Sequence, residues 1–275
     1  MNDLSVQIFR CGEVGVDPTV PHRELSKNPW AFTGLFQTKK RRIYLPVKCF
    51  LITHPSGKKI LVDAAWDSRV REHPISTITY PMWYASKPIL KEGEAIDEQL
   101  KAIGVEPRDL DSVVMTHLDI DHTSGLRLVK DAPKIYASEE EIKAAHSLDA
   151  RYTRKPLKGI PLLPIPWNGV EGPFQRSYDY FGDGSVLILF TPGHSRGSVS
   201  IKVQKSGHYV LLVGDTGYNE DSWEKGYLPG PLDSKTDMRK SLAWVKEGAH
   251  DPPCLGVYCA HDPSDRSAPE IIILP

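Results

Sequence analysis

Short apolar runs bounded by Gly, Pro and Asp recur along the chain: Val47 to Thr53, Lys59 to Val62, Ser112 to Thr116, Val186 to Phe190, Ser198 to Val203, Tyr209 to Val213 and Leu255 to Ala260. Their length and β-branched content predict strands. Between them, Glu94 to Ile103, Ser138 to Ser147 and Ser234 to Lys246 carry a helical pattern, and Ser138 followed by Glu141 fits a capping box. Consecutive strands toward each end of the chain with helices between them predict two mixed sheets packed face to face with helices outside, an α/β (α+β) sandwich. The Pro-rich stretch from Pro156 to Pro173 reads either as a linker or as a surface connection. It contains the apolar run Ile160 to Ile165 and is followed by more strands of the same kind, so residues 1–275 are read as one domain.

Composition narrows the field of functions. With 40% hydrophobic residues in 275, the chain can bury a large core, and a net charge of −1 with scattered Lys and Arg offers no basic stripe for a phosphate backbone. Nucleic acid is not an expected partner. No apolar stretch approaches the roughly 20 residues that cross a bilayer, and MNDLSVQIFR lacks the order of a signal peptide, so a cytoplasmic protein without membrane insertion is expected. The four cysteines, Cys11, Cys49, Cys254 and Cys259, are too few and too irregular for a disulfide framework and are read as buried thiols rather than metal ligands.

The chemistry lies in the histidines. Of ten, four follow apolar strands directly, each beside Asp, Gly or Ser: His117 and His122 after Thr116, His194 in Thr191-Pro192-Gly193-His194-Ser195, and His261 after Ala260. Asp215, in Val213-Gly214-Asp215-Thr216-Gly217, ends a strand in the same way. Strand-end loops are where a rigid scaffold holds reactive groups, and imidazoles and carboxylates converging from several elements make a metal centre. The remaining histidines, His22, His54, His73, His146, His208 and His250, are read as surface or hydrogen-bonded residues.

The run His117-Leu118-Asp119-Ile120-Asp121-His122, followed by a His, an Asp and a last His, resembles the metallo-β-lactamase superfamily pattern H-x-H-x-D-H. Within it the chain is most similar to N-acyl-homoserine lactonases, through Leu45 to Leu51, Ile60 to Asp63, Thr191 to Ser195, Tyr218 three residues after Asp215, and His261-Asp262. The resemblance implies an αββα sandwich, a quorum-quenching metallohydrolase and two divalent ions, zinc by family habit. One ion would take His117, Asp119 and His194, the other Asp121, His122 and His261, with Asp215 bridging and Asp63 orienting a ligand imidazole. Two departures stand out: Asp119 where the family usually has His, and Asp63-Ala64-Ala65 where it usually has Asp-Thr-Gly. A third carboxylate would make the centre more neutral and a weaker Lewis acid, which would favour Mn or Fe over Zn.

Two-metal logic then implies a bridging hydroxide that attacks a lactone carbonyl, with Tyr218 as hydrogen-bond donor and Asp121 carrying the proton to the leaving alkoxide. The segment from Ile75 to Ile89, with Tyr80, Met82, Trp83, Tyr84 and two prolines, is read as irregular, either a lid or acyl-chain wall or a homodimer contact. With Trp223, Tyr227 and Leu228 it would suit a small-molecule substrate bearing an apolar tail. Two other readings stay open: a di-iron redox protein of the same fold, and a metal-binding domain with impaired catalysis.

Overall fold

In the computed structural model, which describes residues 3–34, 41–264 and 271–275, the chain opens on a strand that the apolar pattern does not announce. β1 (Ser5–Val16) pairs antiparallel with β2 (Ile43–Thr53), with a register shift between Arg10 and Glu13. Gly12 sits in that bulge at φ 82, where a Cβ would meet the Ile89 carbonyl oxygen at 2.3 Å. The charges and glycines that hide the strand are thus the residues that bend it.

The first sheet continues through β3 (Lys59–Val62), β4 (Lys87–Ile89), β5 (Ser112–Val114), β6 (Ile135–Ala137) and β7 (Leu162–Pro164). β2 and β3 are antiparallel, β3, β5, β6 and β7 run parallel in that order, and β4 attaches to β1. The second sheet holds β8 (Ser177–Asp179), β9 (Val186–Phe190), β10 (Val199–Lys205), β11 (His208–Gly214) and β12 (Cys254–Cys259), antiparallel except for the parallel pair β11 and β12. β13 (Ile271–Ile273) returns to β1. The strands expected from the sequence are all present, Lys59 to Val62 and Val186 to Phe190 with the ends expected and the others with shifted ends. β1, β4, β6, β7, β8 and β13 were not expected.

Alternation along each strand builds three apolar layers. Val6 and Ile8 of β1, Ile52 of β2, Val186 and Ile188 of β9, Ile201 of β10 and Val210 and Leu212 of β11 meet between the sheets. The opposite face of the first sheet packs Cys49, Leu51, Leu61 and Val113 with the helical residues Ile96, Leu100, Ala144 and Ala145, and that of the second packs Tyr209, Leu211 and Val213 against Met238, Leu242 and Val245. Both faces of each sheet are covered, so the strands read as continuous apolar runs. The order helix, sheet, sheet, helix is the αββα sandwich expected.

The segment from Ile75 to Ile89, with Pro81 and Pro88 inside it and Pro74 just before it, corrects the reading of an irregular run. It forms α1 (Pro74–Ile78) and α2 (Tyr80–Ala85) before β4, with Pro74 and Pro81 in the first turns and Thr79 at φ 74 between them. Proline lacks the N–H that a first turn leaves unbonded, so here it starts helices instead of interrupting them. α3 (Ile96–Ala102), α4 (Ile120–Thr123), α5 (Glu139–His146), α6 (Glu220–Glu224) and α7 (Lys235–Ala249) complete the helices. The stretch from Pro156 to Pro173 contributes β7 and otherwise runs as turns and irregular chain, with an isolated bridge from Gly169 to Ser177.

Gly193 shows how tightly the outer layer holds the site. Its φ is 137, and a Cβ there would lie 2.3 Å from both N and Cα of Met238 on α7. Gly193→Ala is therefore expected to destabilise the protein by about 2 kcal/mol through overpacking against backbone that cannot yield. Chemical denaturation checks this, and a variant as stable as the parent would contradict the packing.

Candidate metal centre

The topology brings the candidate residues to one edge. β3 and β5 are parallel neighbours, and so are β11 and β12, while β9 lies two antiparallel steps from β11 and shares its direction. The carboxyl ends of these five strands lead to Asp63, His117, Asp215, His261 and His194 in turn. Asp119 is the N-cap residue of α4 but leaves its side chain free of capping, while α4 itself carries Asp121 and His122.

There, His117, His194 and Asp215 form one group of possible donors, and Asp121, His122 and His261 form a second. Asp215 faces both: its Oδ2 is 3.5 Å from His194 Nε2 and 4.0 Å from His117 Nε2, and its Oδ1 is 3.3 Å from the Nε2 atoms of His122 and His261. Asp121 Oδ2 lies 3.4 Å from His261 Nε2. Asp119 Oδ2 lies 3.4 Å from His117 Nε2 and 3.2 Å from His194 Nε2, at the rim of the first group. Ligands about 2.0 to 2.1 Å from a tetrahedral ion stand about 3.3 to 3.4 Å apart, so most of these spacings are those of a shared first sphere.

Hydrogen bonds turn the imidazoles. His261 Nδ1 donates to the Pro46 carbonyl at 2.7 Å, His122 Nδ1 to Asp63 Oδ2 at 2.8 Å, and His117 Nδ1 to Thr116 Oγ1 at 3.0 Å. Thr116 passes its own hydroxyl proton to Asp63 Oδ2 at 2.7 Å. With Nδ1 protonated, each of these rings turns its Nε2 to the centre. His117 Nε2 and Asp215 Oδ1 are buried without a hydrogen-bond partner among the described residues. Buried lone pairs and carboxylates so arranged are costly unless a cation answers them, and the set fits divalent metal ions.

The charges respond to one another. Burial opposes ionisation of Asp215, but the surrounding imidazoles, His261 and His122 foremost, outweigh it and hold its pKa well below the usual range. Burial likewise opposes ionisation of Asp119, and the Arg151 guanidinium with His117 and His194 overrides it. Burial and then the charge of Arg151 lower His194 to about 4, which keeps it neutral and able to ligate. Burial would lower His122, but Asp63 and Asp215 prevail and raise it well above normal, so without an ion its Nε2 holds a proton that a metal would have to displace. Tyr218 donates to Asp215 Oδ2 at 2.6 Å, and burial and that carboxylate push its phenol well above its ordinary value, so it remains a donor.

Two residues that sequence reasoning passed over hold the loops. Glu141 on α5 was read as half of a capping box. Ser138 does accept from the Glu141 N–H at 3.2 Å, but the Glu141 carboxylate turns away from the cap, accepting from Leu118 N at 2.9 Å, Ser195 Oγ at 2.8 Å and Gly197 N at 3.0 Å. It ties the His117 loop to the His194 loop. Arg151 forks onto Asp119, Nε to Oδ1 and Nη2 to Oδ2, both at 2.6 Å, and its Nη1 donates to the His194 carbonyl. Nothing local in the sequence marks it.

Other expected residues fall away from the centre or beside it. Trp223 is buried with Leu228, Met238 and Leu242, its ring 3.1 Å from where a Cβ on Gly217 would be, so it backs the Tyr218 loop. Met82 and Trp83 pack half-buried on the core that includes Tyr218, Tyr80 is 58% exposed, and Tyr84 donates to the Gly34 carbonyl at 3.2 Å. All four cysteines are free thiols. Of the histidines set aside, His54, His146 and His250 are hydrogen-bonded, to Asp183, to the Ile142 carbonyl and to Glu224. Among the described residues no helix is long and apolar enough to cross a membrane.

A family model described as the metallo-beta-lactamase superfamily matches residues 43–262. The chain is 31% identical over 242 residues to the N-acyl homoserine lactonase AttM of Rhizobium radiobacter, covering 82% of this chain and 87% of that one. It is 32% identical over 206 residues to an N-acyl homoserine lactonase of Bacillus cereus, covering 74% and 76%. A solved N-acyl homoserine lactone hydrolase, with N-hexanoyl-L-homoserine at its catalytic metal centre, superposes with a TM-score of 0.76 at 21% identity, over 98% of this chain and 97% of that one.

Asp63 fixes His122 directly and His117 through Thr116, so Asp63→Asn should weaken metal binding about 10- to 100-fold, the usual cost of removing such a partner. Titration against a chromophoric chelator reads this. Unchanged affinity would mean that the imidazoles are oriented by other contacts.

Proposed function

We propose that this chain, which belongs to the metallo-β-lactamase superfamily, is a metal-dependent hydrolase that opens lactones, with N-acyl-homoserine lactones as the leading substrates. The observation that carries the reading is Asp215, with one oxygen toward each donor group and the Tyr218 hydroxyl on it. His117, Asp119 and His194 would hold one ion, Asp121, His122 and His261 the other, and Asp215 both. Four imidazoles among three carboxylates suit zinc, with manganese or iron as the alternatives. Two such ions, when bound, supply an activated water and polarise the ester carbonyl.

The protein's own groups do the rest. Asp121, with its side chain 13% exposed, accepts a proton from the attacking water as the new C–O bond forms, and returns it to the ring oxygen as the acyl C–O bond breaks. Tyr218, kept protonated, turns from Asp215 to donate to the carbonyl oxygen as negative charge develops there. Tyr80, Met82, Trp83 and Tyr84 on α2 would form a wall for an apolar acyl tail. The free thiols fit a reducing compartment, and we place the protein in the cytoplasm.

A pH-stat assay on a panel of lactones, paired with metal analysis, tests this. Two equivalents of metal and proton release are expected, while iron with oxygen consumption and no proton release would instead mark a redox protein. Asp121→Asn and His122→Ala should each cost at least about 100-fold in kcat/KM, and Tyr218→Phe about 100-fold, mainly in kcat. Near-normal turnover in Asp121→Asn would remove the proposed proton carrier.

A further inference from the structure

Asp119 and Arg151 form the closest charged pair at the centre, and among the described residues no arginine pairs in this way with Asp121 in the other half. The guanidinium engages both carboxylate oxygens at 2.6 Å, each side chain being 17% exposed. A carboxylate offers about four lone-pair directions. The fork takes one on each oxygen, and Oδ2 also faces His117 and His194 at 3.4 and 3.2 Å. Oδ1 is turned to Arg151.

His194 supplies an independent sign of the same arrangement. His117, His122 and His261 each have an Nδ1 partner, whereas His194 Nδ1 is buried without one among the described residues. What holds His194 instead is its main-chain carbonyl, which accepts from Arg151 Nη1. Arg151 is itself anchored by its N–H to Asp149 Oδ1 at 3.0 Å. One part-buried cation therefore restrains the Asp119 side chain and the His194 main chain beside the first group.

We infer that Arg151 is a positioning residue that sets metal preference: it restricts Asp119 to a single ligating oxygen and offsets its charge, so that this half favours zinc over harder ions. The inference rests on the proposed two-metal reading, with Asp119 as a ligand. Freed of the fork, Asp119 would present both oxygens and a full negative charge. Manganese, which prefers oxygen donors and higher coordination numbers, would gain relative to zinc.

The test is competitive loading of the purified full chain with equimolar zinc and manganese, followed by elemental analysis of the bound metal. Arg151→Met and Arg151→Lys should each lower the zinc-to-manganese ratio about tenfold or more, because lysine keeps the charge but cannot grip both oxygens. Asp119→Asn combined with Arg151→Met, which removes the freed anion, should recover the parent ratio. An unchanged ratio in Arg151→Lys overturns the inference even if Arg151→Met does not fold, and so does a double variant that stays as manganese-prone as Arg151→Met. A parent protein that binds fewer than two equivalents, or keeps both in Asp119→Ala, would instead overturn the ligand set on which the inference rests.

Discussion

Four imidazoles and the carboxylates of Asp119, Asp121 and Asp215 converge on one largely buried space, and the rest of the structure is organised around making that tolerable. An ion taken from water into protein costs several kcal/mol even after relaxation. His122 and His261 stand 3.2 Å apart nitrogen to nitrogen, with Asp215 Oδ1 3.3 Å from both. Such an arrangement needs positive charge at its centre. Divalent ions supply it, and the lowered pKa values of Asp119 and Asp215 report the same demand from the side of the carboxylates.

The scaffold meets this demand with apolar packing on either side of the site and hydrogen bonds behind it. Fully burying one Val, Leu or Ile is worth roughly 1.5 to 3 kcal/mol, and the layer between the sheets contains many of them. That surplus supports Asp63, Glu141 and Asp215, which are almost wholly buried. Asp63 orients two imidazoles, and Glu141 welds the loop after β5 to the loop after β9. Each buried carboxylate has N–H, O–H or imidazole groups facing it, as a low dielectric requires.

The pairing of Asp119 with Arg151 alters the picture drawn from composition alone. Counting Asp119 as an extra negative charge predicts a more neutral centre and a weaker Lewis acid. The guanidinium returns that charge from 32 residues along the chain. The net effect of a residue in a metal site thus depends on its partner as much as on its own type.

The sequence by itself determined the αββα architecture and marked most of the residues that converge at the candidate site. Apolar runs are fixed by the need to bury strands on both faces, and a histidine directly after such a run inherits a defined place at the sheet edge. His117, His122, His194, Asp215 and His261 were legible for that reason. The first strand was not, because its bulge is built from the charges and glycines that break the pattern. Nor were the helical turns around Pro74 and Pro81, since proline can end a helix or begin one. Trp223 was expected at the mouth of the site and instead packs behind it, against α7. Arg151 and the true role of Glu141 belonged to the tertiary structure alone. Their partners are distant in sequence, and a hydrogen bond or ion pair leaves no periodicity along the chain to reveal it.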